Sequence, residues 1–107
     1  MAFKETITFD RTEMIVYAKL GKRPAILNLT YERIISIRLD HGTMPFLRIL
    51  KKPSDRIVIQ LHRFENPVIL YSAVLGEQFD GLAEGVRRFC KENRVTLYDY
   101  LAHPENQ

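Results

Sequence analysis

The spacing of apolar residues changes once along this chain, at Gly76, and that single change restricts the fold more than any other feature. A strand buries every second residue, whereas a helix buries positions three and four apart. Up to Tyr71 the period is two or the apolar runs are short and β-branched: Ile7 and Phe9 flank Thr8, Ile35, Ile37 and Leu39 alternate with Ser36 and Arg38, and Ile57, Ile59 and Leu61 alternate with Val58 and Gln60. After Gly76 the residues Phe79, Leu82, Ala83, Val86, Phe89 and Cys90 form one helical stripe. Acids cluster toward its start (Glu77, Asp80, Glu84) and bases toward its end (Arg87, Arg88, Lys91), both favourable with the helix dipole. The pattern predicts a helix over residues 77–92, with Asn93 as its left-handed cap.

Between the period-two segments lie clusters that read as turns: Asp10 to Glu13, Leu20 to Pro24, Asp40 to Pro45, Lys51 to Asp55 and Arg63 to Pro67. They divide the first part of the chain into seven strands, near residues 3–9, 14–19, 25–30, 34–39, 46–50, 56–62 and 67–73. Residues 94–107 form a tail whose β-branched and aromatic start, Val95 to Leu101, suits packing as an extra strand. At 107 residues and 46% hydrophobic composition, the chain is expected to be one domain with one core, needing neither metal nor disulfide.

Seven antiparallel strands followed by one amphipathic helix is a restrictive order. An RNA-recognition domain needs a helix after its first strand, and an oligonucleotide-binding barrel carries one between its third and fourth; neither place has a helical stripe. The economical solution is a mainly β fold, a bent antiparallel sandwich or barrel closed at one end by the helix. The segment Asn28-Leu29-Thr30-Tyr31-Glu32-Arg33-Ile34-Ile35-Ser36-Ile37 is a strand, a polar-aromatic corner and then Ile-x-x-Ile entering the next strand. Together with the Phe79 to Cys90 helix and the following Asn93-Arg94-Val95, it resembles the pleckstrin-homology-like superfamily, including its GRAM type and small bacterial members. The resemblance spans nearly the whole chain and implies an interaction module. The basic motif of the phosphoinositide-binding relatives is not matched: the first hairpin holds Asp10-Arg11-Thr12-Glu13, and Lys22-Arg23-Pro24 breaks the motif's last step.

Catalytic equipment is thin. His41, His62 and His103 lie in three unrelated places, and one cysteine supplies no metal-ligand set. Cys90 falls on the apolar stripe, where a thiol is usually an inert small hydrophobe. No phosphate-cradling glycine loop or nucleophile elbow is present, so the chain is expected to be no enzyme and to use no cofactor. The lone cysteine, the absence of a signal-like start and apolar runs too short to span a bilayer point to a cytoplasmic protein.

Charge is more informative. The chain carries a net +3, but residues 11–63 carry +7 and residues 64–107 carry −3, so the strand region is electropositive. Two groups are candidate anion or lipid contacts: Lys19, Lys22 and Arg23 around Gly21, and Lys51 and Lys52 with Arg56. The plainer alternative is that these side chains keep strand edges soluble. Gly81 and Gly85, four apart on the helix, and Tyr98 and Tyr100 in the tail are candidate partner contacts, with tolerated glycines and a self-packed tail as the alternatives.

The expected function is therefore a non-enzymatic interaction module, presenting loops and sheet edges to a protein partner or to copies of itself. The alternative is peripheral binding to anionic lipid through the two basic groups; nucleic acid is not expected as a partner at this modest charge. An enzyme acting on a small anion would require a histidine and acids such as Asp40 to meet in one pocket.

Overall fold

The period-two segments become strands of two sheets in a computed structural model of the chain, which describes residues 3–102. In the first sheet β1 (Thr6–Phe9), β2 (Glu13–Leu20) and β3 (Arg23–Thr30) pair as an antiparallel meander. Met14, Val16 and Ala18 alternate along β2 into the interior and are fully buried. The β2–β3 hairpin closes through Gly21 and Lys22, with φ +67 at Gly21, a conformation glycine adopts without penalty.

One turn of 3-10 helix, Tyr31–Arg33, carries the chain to the second sheet, and its Tyr31 N–H donates to Thr12 O at 3.0 Å. There β4 (Ile34–Phe46), β5 (Leu50–Leu61) and β6 (Val68–Tyr71) are antiparallel, and β7 (Thr96–Asp99) adds in parallel beside β4, giving the order β6-β5-β4-β7. The fold is mainly β, with the two sheets not closed into a barrel. Ile37, Leu39, Ile57, Ile59, Val68 and Leu70 face the core from this sheet.

The helical part begins directly after β6 with α1 (Ser72–Leu75), breaks at Gly76 and continues through a 3-10 turn into α2 (Phe79–Asn93). Gly76 has φ +62 and ψ −133, a combination open essentially to glycine alone, and this is what separates the two helical pieces. Phe79, Ala83, Val86, Phe89 and Cys90 of α2 are buried against the sheets, as their spacing requires. The left-handed cap is Arg94 rather than Asn93. Asn93 is the last helical residue, and its amide donates to Phe89 O at 3.0 Å and Arg11 O at 2.8 Å.

Three further expectations are corrected. Asp40 to Pro45 and Lys51 to Asp55 are strand, not turn, and the strand expected at 46–50 is the turn between two long strands. Six strands rather than seven therefore precede the helix, and the seventh follows it. The tail folds back on its own domain, with Tyr100 N–H donating to Leu39 O at 2.8 Å and Arg87 Nε donating to Asp99 Oδ2 at 2.7 Å. Residues 103–107, His103 among them, lie outside the described residues.

Candidate functional site

The β4–β5 hairpin is longer than the sheet that holds it. β7 pairs with β4 only as far as Leu39, and β6 pairs with β5 only from Arg56 to Ile59. The six pairs from His41↔Asp55 to Phe46↔Leu50 thus have ladder partners only in each other, a two-stranded finger roughly 17–20 Å long. An isolated hairpin of this kind is marginal by itself, so its root must hold it.

The root is a charge cluster on adjacent strands. Asp40 is buried, and its carboxylate accepts hydrogen bonds from Arg56 Nε, Arg56 Nη2 and Arg38 Nε, each at 2.8 Å. Burial opposes its ionisation, but the hydrogen bonds from Arg56 and Arg38 outweigh that and hold its carboxyl below the ordinary range. Gly42 gives Arg56 the room to lie across the hairpin, since a Cβ there would fall 2.6 Å from the guanidinium carbon. One step further out, His41 Nδ1 lies 2.6 Å from Asp55 Oδ1. Ser72 Oγ accepts from Asp55 N–H at 3.0 Å and Ser54 Oγ accepts from Ala73 N–H at 3.1 Å, tying the root to the start of α1.

The free end carries apolar side chains where a solvated turn would carry polar ones. Leu47 is 72% exposed and Ile49 90% exposed, and Phe46 and Leu50 beside them are half-exposed. Leu47 also has φ +59, at a cost of roughly 1–2 kcal/mol for a residue with a Cβ. From Thr43 to Pro53 the charged residues are Arg48, Lys51 and Lys52, with no acid among them. Lys52 Nζ sits 5.1 Å from the centroid of the Phe46 ring.

An open cleft of about 820 Å³ separates the finger from the β2–β3 turn. Met44 and Pro45 form one wall, Lys19, Leu20 and Gly21 the other, and Ile69, Tyr71 and Val74 the floor, with Glu5 and Glu65 also present. Of the basic residues singled out in the sequence, Lys19 alone lines this cleft. Lys19, Lys22, Arg23 and Lys51 are exposed. Arg56, the third of the group with Lys51 and Lys52, lies on β5 and donates to Asp40, and its guanidinium is held charged by that hydrogen bond.

The helix glycines have different surroundings. Gly85 is buried beneath the Phe9 ring, with a Cβ there falling 2.7 Å from Phe9 Cζ, so its close neighbour is within the chain. Gly81 is exposed, with open space about it. Gly81→Ala is expected to raise stability by about 0.5–1 kcal/mol, a few degrees in melting temperature, through helix propensity alone. Gly85→Ala is expected to give no such gain, because Phe9 must move; thermal unfolding of the two variants checks the contrast. Tyr98 is half-exposed on β7, while Tyr100 is held by its bond to Leu39.

Other chemistry is dispersed. His41 lies against Asp55, His62 is exposed at the end of β5 and donates its N–H to Arg33 O, and Asp40 faces arginines. The Cys90 thiol is pushed up to about 12 by burial. Among the described residues no group of three His, Cys, Asp or Glu side chains is placed to hold a metal ion, and no helix is long and apolar enough to cross a membrane. The finger tip itself was missed by sequence reasoning, although Phe46-Leu47-Arg48-Ile49-Leu50, apolar around one arginine and followed by Lys51-Lys52, was the available signal. No family model, curated protein or solved structure matches the chain.

Proposed function

We propose that this protein is a non-enzymatic interaction module whose working surface is the β4–β5 finger. The observation that carries this is the exposed apolar tip, Leu47 and Ile49 above all, at the end of a hairpin that the rest of the sheet does not extend to cover. Fully burying each such side chain is worth about 1.5–3 kcal/mol, so leaving them in water on a clamped and partly strained support is a cost that docking would recover. The pleckstrin-homology-like reading is supported by the antiparallel meander, the polar-aromatic corner at Tyr31–Arg33 and the amphipathic helix that follows. The parallel β7 and the unclosed sheets are features that the resemblance did not imply.

The test is size fractionation of a native lysate containing the wild-type chain or the Leu47→Ser/Ile49→Ser variant. The wild type is expected in complexes well above its own 12.6 kDa, and the variant, with an unchanged circular dichroism spectrum, near that mass. Identical profiles would remove the finger as the working surface.

A further inference from the structure

We propose that the surface on which this finger docks is an anionic lipid bilayer, the apolar tip entering the interfacial layer while the flanking basic side chains meet the headgroups. The inference rests on the reading of the finger as the working surface and names its partner. Three observations favour a bilayer over a protein surface or a second copy.

The first is shape. The tip is convex, a three-residue turn whose apolar side chains, Leu47 and Ile49, are both exposed, and a convex apolar point needs either a matching pocket or a deformable medium. The interfacial layer is such a medium, and insertion of about 5–10 Å would take in the turn and the Phe46↔Leu50 pair. The second is charge placement. Arg48 stands within the turn, and Lys51 and Lys52 follow the tip along β5, with no acid between Thr43 and Pro53. Long basic side chains beside an apolar insert can keep their stems in the apolar layer and their heads among phosphates. A second copy docking finger to finger would bring the same positive charge and be repelled.

The third is the backbone. Pro45 and Pro53 occupy paired positions of the finger, opposite Lys51 and Thr43. Proline has no N–H to give the ladder, so each sits where an amide would face outward, and each removes a donor that an added strand would need. Strand addition by another chain is thereby hindered on both edges, whereas contact with lipid through the tip needs no such donors.

The experiment uses the purified full chain in co-sedimentation with vesicles of phosphatidylcholine alone and of phosphatidylcholine with phosphatidylserine, at low and physiological salt. The wild type is expected to bind the phosphatidylserine vesicles preferentially and to lose part of that binding as salt rises. Leu47→Ser/Ile49→Ser, which keeps every charge, is expected to weaken binding by about 30-fold or more. Lys51→Glu/Lys52→Glu is expected to abolish the preference for anionic vesicles, as each basic side chain near such a surface contributes about fivefold. Salt-insensitive binding, or equal binding by wild type and both variants, would overturn the proposal. So would no vesicle binding at all; if tip-dependent complexes then persisted in a lysate cleared of membranes, the partner would be a soluble molecule and the finger would keep its role. Failure of both assays would remove both readings.

Discussion

Replacing Asp40 with asparagine is expected to destabilise the protein by about 3 kcal/mol, near the lower end of what breaking a buried ion pair costs. The variant keeps the volume but leaves the Arg56 guanidinium, itself partly buried, beside an amide. The same carboxylate sets a pH dependence. Its pKa is held below the ordinary value, so the stability it contributes is present above about pH 4, the unfolded-state range, and is lost as pH falls through the lower folded-state value. Urea denaturation at neutral pH measures the loss, and a descending pH series should show the wild type losing stability over the acid range more steeply than Asp40→Asn. Parallel profiles would mean that the carboxylate is not held by its arginines.

The second large effect lies two residues along the same strand. Gly42→Ala is expected to cost about 2–3 kcal/mol, because the new methyl falls on a guanidinium that its hydrogen bonds to Asp40 prevent from moving aside. A double-mutant cycle isolates the cause: in an Arg56→Ala background the same substitution should cost less than about 1 kcal/mol. Equal costs in both backgrounds would place the strain elsewhere. Hydrogen exchange at Thr43 and Met44 would then report whether the finger loosens with its root.

These two substitutions mark where the sequence misleads. Asp40, His41 and Gly42, followed by Pro45, look like turn punctuation, and Lys51 to Asp55 with Pro53 looks like another turn. In an ordinary central strand that inference would hold. Here the prolines lie where the ladder asks for no donor, and the glycine makes room for an arginine rather than for a bend. The first depends on register with the partner strand and the second on Arg56, fourteen residues from Gly42, and local spacing reveals neither. The segments with one clean periodicity were legible: β2 alternates as its residues alternate, and α2 buries the residues its spacing selects.

The candidate site was legible only in part. Lys51 and Lys52 were visible as a basic pair, but the apolar residues before them resembled a short buried strand, because hydrophobicity alone does not distinguish an inward side chain from one at the end of an uncovered hairpin. Arg56 was grouped with those lysines by proximity in sequence, while its partner, Asp40, lies sixteen residues earlier. Gly81 and Gly85 were read as a pair, either a partner contact or tolerated exposed glycines, whereas Gly85 is buried against the Phe9 ring of the same chain.

The parallel seating of β7 beside β4 also imposes an order of assembly. The first sheet and the β4–β5–β6 meander are made from neighbours in sequence, and both can form before the helix exists. The edge of β4 from Ser36 to Leu39 must wait for Thr96 to Asp99, sixty positions later. During synthesis or refolding that edge stays open, with unpaired amides and carbonyls beside the core residues Ile37 and Leu39, so it is the segment through which two incomplete chains would first find each other.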